Sequence, residues 1–348
     1  TSHIKTLEWL VKLPTISLTF DTFGSVLTDA NVELVQLFLK FSDIDPSADN
    51  NYAIRIASEN GQTDVVKVLL ADPRVDPSAD NNYTIRKASA NGHTDVVKLL
   101  LPRTDPSADN NFAIRIASYF GITDVVKVLL PRTDPSADDN YAIRWASENG
   151  HTDVVKVLLA DARVDPSADN NFAIRRASAN GHTDVVKVLF ARADPSAKNN
   201  EAIRWASANG HTEVVKLLLA DCRVDPSAYN NEAIKFASEN NHTDVVKALL
   251  ADPRVDSSAS DNYAICIASQ KAYTNMVKVL LADARVDPSA HSNYPIRWAS
   301  CYGHTDVVKM LLADPRVDPS ALDNDAIQKA SKNGHTDIVK LLAARCKN

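Results

Sequence analysis

The chain has 348 residues, 45% hydrophobic and 24% charged, with 44 acidic against 38 basic side chains and a formal charge of −6. So small an acidic excess leaves no basic footprint for DNA, RNA or an anionic membrane surface. No apolar run reaches the roughly eighteen residues that a membrane-spanning helix needs, and no secretory leader is visible.

In residues 1–20, Ile4, Leu7, Leu10 and Val11 share one helical face until Pro14 ends the pattern. This reads as a half-repeat or capping helix over the first open face of a stack. Residues 21–44 form a degraded first repeat, since 33–39 lies 31 residues before the matching apolar run 64–70. Ten clear repeats follow, marked by isoleucines from Ile54 to Ile327, at intervals of 31 residues except for three of 29. Residues 21–348 are therefore one array, of one degenerate and ten clear repeats. Each short interval has lost two residues from the same connector: Pro102-Arg103-Thr104 stands where Ala71-Asp72-Pro73-Arg74-Val75 stands elsewhere. Deletions confined to one place mark a loop, because two residues lost within a helix would rotate its apolar face away.

The copy over residues 134–164 serves as the example. It holds two short apolar segments, 141–149 and 153–159, hinged at Gly150. Neither can bury its apolar face alone, so the unit makes sense only stacked on copies of itself. Asn140 and its equivalents precede the first segment in all ten copies, which suits a helix N-cap. Eight of the nine glycines fall at the turn that follows, where a left-handed residue is wanted. Asn241 is a tolerable substitute there; Ala272 is not, and its turn is expected to be distorted. Thr152 and its equivalents read as the cap of the second segment. Val154, Val155, Leu158 and Leu159 make its apolar stripe, and Lys156 faces outward beside Asp153 in a solvated charge ladder.

Ser147, His151 and Asp153 recur in a way that invites a catalytic-triad reading. Ten active sites in a row are implausible, whereas one structural turn repeated ten times is what stacking requires. Each turn histidine stands alone in its repeat, so no metal site is expected, and no cofactor either. The glycines never cluster into a phosphate-binding loop. A column of arginines, Arg74 to Arg316, each two residues before an Asp, reads either as an anion-binding edge or as a brace between adjacent loops. Because every arginine brings an acid, the brace is favoured. Cys222, Cys266, Cys301 and Cys346 occupy four different places in their repeats, which suits free thiols and a cytoplasmic setting.

The run Ala-Ile-Arg-x-Ala-Ser-x-Asn-Gly-His-Thr-Asp-Val-Val-Lys-x-Leu-Leu resembles the ankyrin repeat, whose first helix opens Thr-Pro-Leu-His-x-Ala. Tyr294-Pro295-Ile296-Arg297-Trp298-Ala299 is the nearest copy of that opening. The resemblance covers about residues 21–348 and implies an all-α solenoid of helix-turn-helix repeats. Three departures carry expectations. The family threonine is Tyr, Phe or an acid here; the family histidine is mostly Arg; and the shortened connector implies short hairpin fingers, with 165–168 a tight turn or single helical turn.

The residue after the first-segment arginine varies while the scaffold repeats. It runs through Trp145, Arg176, Trp205, Phe236 and Trp298, with Ile or Lys in the other copies. The resemblance places this position toward the concave groove. Large aromatics and Arg dominate binding hot spots, and a core would not accept Trp, Lys and Arg interchangeably; filling space between first helices is the competing explanation. A second variable place lies at the end of the first helix, where Tyr119-Phe120, Tyr273 and Tyr302 break the usual small-or-acidic pattern. Contact with a partner and simple repeat decay both explain it. The expectation is a non-enzymatic scaffold that binds a protein partner on the concave first-helix face. Self-stacking into filaments, joined through residues such as Trp9, Leu10, Val11 and Leu13, is the alternative. A targeting arm of a larger enzyme is a weaker one.

Overall fold

The computed structural model describes residues 31–40 and 45–345. The expected capping segment 1–20, its apolar residues and Cys346 lie outside the described residues. The described residues contain helices and no strand, and they divide into two compact units, with the boundary between Ala168 and Asp169. In the first unit the helix Val32–Lys40 precedes the pairs Ala48–Glu59 with Thr63–Leu70, Ala79–Ala90 with Thr94–Leu100, Ala108–Tyr119 with Thr123–Leu129, and Ala137–Glu148 with Thr152–Leu159. The second unit continues the alternation, from Ala168–Ala179 with Thr183–Leu189 to Ala321–Lys332 with Thr336–Arg345. Inside each unit, successive first helices lie side by side and each packs on its own second helix.

The core repeats with the sequence. Ala142, Ile143 and Ala146 from the first helix meet Val154, Val155 and Leu158 from the second, all fully buried. At about 1.5–3 kcal/mol for each large aliphatic side chain taken from water, these residues supply most of the drive to stack. The small pair Ala146-Ser147 lets the neighbouring first helix approach closely.

One local conformation was not legible as such in the sequence. The first helix is right-handed only from Tyr141; the residues before it, Asp138, Asp139 and Asn140, all lie in the left-handed region, at φ 56°, 54° and 59°. The same triplet recurs in every clear repeat, from Asp49-Asn50-Asn51 to Leu322-Asp323-Asn324. Left-handed backbone costs an L-residue roughly 1–2 kcal/mol and is least costly for Asn and Asp, which accounts for the recurring Asp-Asn-Asn. The cost is offset by stitches to neighbouring residues. The Asn140 carboxamide oxygen accepts from the backbone N–H of Asp165 in the following connector, at 2.8 Å, and Arg144 donates to the Asp138 carbonyl at 3.0 Å. The recurring asparagine is thus not a helix cap but a link from one repeat to the next connector, repeated from Asn51 to Asn293.

Two further expectations are corrected. Thr63 is the first residue of its helix rather than the cap; its hydroxyl turns back to the Gly61 carbonyl at 3.4 Å. The turn at Ala272 is altered only slightly: it lacks the N–H bond to the serine carbonyl three residues back that the other copies make. It keeps a left-handed φ of 59°, and the N–H of Thr274 reaches its carbonyl at 2.9 Å as in the glycine copies. The 165–168 segment is a tight turn, closed by the Ala168 N–H on the Asp165 carbonyl at 3.4 Å and held by Asp165 Oδ1, which accepts from the Ser167 N–H at 2.8 Å and hydroxyl at 2.6 Å. In two of the short repeats a 3-10 turn with proline at its centre, Leu101–Arg103 and Leu130–Arg132, replaces the missing residues.

Candidate functional site

Three side-chain columns are fully employed in holding the stack. The Nε2–H of His151 donates to the Tyr119 carbonyl of the preceding repeat at 2.9 Å, and its ring lies against Gly121. His93, His211, His242, His304 and His335 make the same hydrogen bond in their repeats. Burial holds His211 below the ordinary imidazole pKa, so the neutral ring is favoured. The connector arginines brace loops, as the second of their two readings has it, but with a different acid. Arg163 forks onto Asp161, two residues before it, at 2.6 Å and 2.9 Å, and reaches back to the Thr133 and Leu130 carbonyls at 2.7 Å and 3.0 Å. These hydrogen bonds hold the Asp161 carboxyl down to about 2.

The arginines in the family-histidine place point the other way along the chain. Arg55, Arg86 and Arg115 pair forward with Asp80, Asp109 and Asp138 in the next left-handed triplet. In the second unit Arg175, Arg204 and Arg297 pair forward with Glu201, Glu232 and Asp325 at the start of the next right-handed segment. Sequence reading left open how the missing histidine bonds are replaced; these ion pairs replace them.

The residues of the triad reading do not converge. The Ser147 hydroxyl is fully buried with no hydrogen-bond partner, and the His151 Nε2 is taken by a backbone carbonyl. Among the described residues no three of His, Cys, Asp and Glu are placed to hold a metal ion, and no described helix is long and apolar enough to cross a membrane.

The variable column lies elsewhere on the same helices. None of its ten residues is buried, whereas the Ala-Ser pair next to each is inside in nearly every copy. In the first unit Trp145 is half-buried and its ring lies 6.0 Å from that of Tyr119 and 5.5 Å from that of Tyr141. Tyr119 meets the exposed Phe120 edge-on at 5.1 Å. Here the two variable places of the sequence become one aromatic cluster. In the second unit Arg176 is exposed over the Phe172 ring, and the exposed Trp205 lies 6.0 Å from the half-buried Phe236. Half-buried Trp298 stacks on the exposed Tyr302 at 5.5 Å, with the Tyr294 ring also 5.5 Å away and Lys329 Nζ over its ring at 4.7 Å. Tyr273 is different. It occupies the turn-histidine place and its hydroxyl donates to the Glu239 carbonyl at 3.4 Å.

Sequence reasoning passed over Tyr229 and Leu322, 58% and 56% exposed, at the head of left-handed triplets. Their signal was available: the acid that heads the first five triplets is gone from the last five, and in these two a large hydrophobic side chain takes its place. Tyr229 carries the Arg204 guanidinium at 4.4 Å from its ring centre.

A family model described as ankyrin repeats (3 copies) matches in overlapping stretches, residues 25–112, 85–170, 114–199, 174–261 and 236–323. A search of curated proteins finds no match to the chain.

Proposed function

Since the chain belongs to the ankyrin-repeat family, whose repeats are protein–protein interaction modules, we propose that it is a non-enzymatic scaffold capturing a protein partner on the side where its first helices carry the variable column. The single observation behind this reading is the contrast within one helix. Ala146 and Ser147 are fully buried and recur, while Trp145 beside them reaches the surface and changes from copy to copy. Clusters of half-exposed rings offer large contact area at small entropic cost, which is the composition of binding hot spots. The proposed contacts are Trp145 with Tyr119 and Phe120 in the first unit, and Arg176, Trp205 with Phe236, and Trp298 with Tyr302 in the second. Tyr273 lies at the margin, since its hydroxyl already serves the stack. Cys222, Cys266 and Cys301 are free thiols, which suits a reducing, cytoplasmic compartment.

The test is quantitative capture from an extract of the source cells by the wild type and by the Trp145→Ala, Trp205→Ala, Trp298→Ala variant. Circular dichroism should match between the two. Loss of at least about tenfold in bound partner is expected for removal of three anchors. Unchanged capture would remove the first-helix aromatics from the site. If the captured species is the chain itself, and light scattering grows with concentration, the self-stacking alternative takes its place.

A further inference from the structure

The forward-pairing arginines occupy a built socket. In the second unit the Arg175 guanidinium donates to the carbonyls of Asp169 and Asn170, six and five residues earlier, at 3.2 Å and 2.9 Å. Arg204 does so with Lys198 and Asn199, and Arg297 with His291 and Ser292. An acid of the next repeat closes the far side, Glu201 at 2.7 Å from Arg175 and Asp325 at 2.7 Å from Arg297. In the first unit the equivalent guanidiniums lie over an aromatic ring of the next repeat, Arg55 over Tyr83 at 5.3 Å and Arg115 over Tyr141 at 5.0 Å.

Three copies lack the arginine; Lys235 and Gln328 still donate to Ser260 Oγ at 3.4 Å and the Asp323 carbonyl at 2.6 Å, but one copy has no such polar occupant. In the helix Ala259–Gln270 the arginine is replaced by Cys266. The next repeat has lost the acid as well: His291 heads its left-handed triplet, and Tyr294 stands where Glu232 and Asp325 stand elsewhere. What remains is a cavity of about 240 Å³, lined by Tyr263, Cys266, Ile267, Gln270, His291 and Tyr294. The rest of the socket is retained. Ser260 and Asp261 hold the places of the residues whose carbonyls accept from the arginine elsewhere, six and five residues before Cys266. The Tyr294 ring stands where Tyr83 and Tyr141 stand, fixed by its hydroxyl, which donates to Gln270 Oε1 at 3.0 Å. The Asp261 carboxylate lies 3.8 Å from the His291 Nε2, at the rim.

We propose that this cavity receives an arginine side chain of the partner protein, seated as the chain's own arginines are seated in neighbouring repeats. A guanidinium is planar, so it lies flat on the Tyr294 ring while its edge donates to more than one carbonyl. Lysine, a single strongly hydrated charge, cannot do both. Burial, and then Asp261 and Asp287, push the Cys266 thiol up to about 12, so the floor stays neutral and sets no thiolate against the acids nearby. The cavity also adjoins the proposed contact face, since the Tyr294 ring lies 5.5 Å from that of Trp298. The inference deepens the scaffold reading and rests on it for the word partner, but its test needs no partner.

Fluorotyrosine-labelled full-length protein is titrated with N-acetyl-arginine amide and, separately, with the neutral isostere N-acetyl-citrulline amide, and followed by fluorine NMR. The arginine probe should shift the Tyr263 and Tyr294 signals saturably, with citrulline at least tenfold weaker. Cys266→Arg fills the socket from within and should abolish the response while raising the thermal midpoint. Cys266→Met fills the space without a charge, should also abolish the response, and serves if the arginine variant does not fold. Equal binding of citrulline, an undiminished response in either variant, or no response of the wild type to arginine would each overturn the proposal. Any of these would leave the tryptophan face to stand or fall on its own capture experiment.

Discussion

His151 donates from Nε2 to the backbone carbonyl of Tyr119, 2.9 Å away and one repeat earlier, while the Tyr119 ring lies 6.0 Å from that of Trp145. One residue thus serves the stack through its backbone and the proposed contact face through its side chain. Removing the histidine should weaken the stack by about 0.5–1.5 kcal/mol for one lost hydrogen bond, since Asn149 Nδ2 still reaches the same carbonyl at 3.5 Å. A second variant tests the geometry. A Cβ on Gly121 would stand 2.5 Å from the His151 ring, so Gly121→Ala should cost more in the wild type than in a His151→Ala background. Chemical denaturation followed by circular dichroism reads both; equal costs in the two backgrounds would mean that the ring does not press on the glycine.

Ala272 supplies the converse. Its φ of 59° is one that glycine adopts without steric cost. Ala272→Gly should raise stability by roughly 1 kcal/mol, the lower end of the left-handed penalty. A loss of stability would show that the methyl group contributes packing that outweighs the strain.

The serine column predicts an unusual tolerance. The hydroxyls of Ser58, Ser89, Ser118 and Ser147 are buried without a hydrogen-bond partner, whereas that of Ser238 donates to the Ile234 carbonyl at 2.7 Å. Ser147→Ala should be neutral or stabilising by up to about 1 kcal/mol, because an unpaired buried hydroxyl is removed. Ser238→Ala should be the less favourable of the two. A cost above about 2 kcal/mol at Ser147 would indicate that its hydroxyl is bonded in solution.

Acid should act in two stages. Burial lowers the His211 pKa below its ordinary 6.5, so the fold favours the uncharged ring. Its contribution is full above that value and is lost as pH falls through the folded pKa. Asp72, Asp161, Asp252 and Asp314 are held below the ordinary carboxylate value, Asp161 to about 2, first by hydrogen bonds from the arginine two residues on. Their contribution is full above the unfolded pKa of about 3.9 and is lost toward pH ~2. The thermal midpoint should therefore decline gently below pH 6.5 and more steeply below pH ~4, with the steep part reduced in Asp161→Asn. A midpoint unchanged between pH 5 and pH 3 would contradict the carboxylate clamps.

Much of the repeat was legible because stacking imposes one chemistry at each place. The Val-Val-x-x-Leu stripe, the glycine turn and the connector deletions follow from helix periodicity and left-handed sterics alone. What was missed follows from contacts between repeats, which periodicity within one repeat does not encode. Asn140 looked like a cap because a cap and an inter-repeat link need the same short carboxamide; only its distance to Asp165 separates them. The arginine partner was misassigned for a similar reason, since acids flank Arg163 on both sides and only the fork onto Asp161 chooses. Exposure of the variable column was legible as residue types that no core accepts, but the meeting of Tyr119 with Trp145 was not, because it needs the packing of two repeats. The empty socket at Cys266 needed both: its sequence signal is one cysteine, and its meaning comes from the filled sockets beside it.

The claim that the first-helix side reads the partner is tested most directly by placing a photo-crosslinking phenylalanine analogue, one site at a time, at Trp145, Phe236 and Trp298 on the first helices, and at Lys156, Lys247 and Lys309 on the second. All six places are at least partly exposed, so each reports on what reaches it in the source extract. Crosslinks to the same protein are expected from the first-helix sites and none from the lysine sites. Crosslinks confined to the second-helix sites would contradict it.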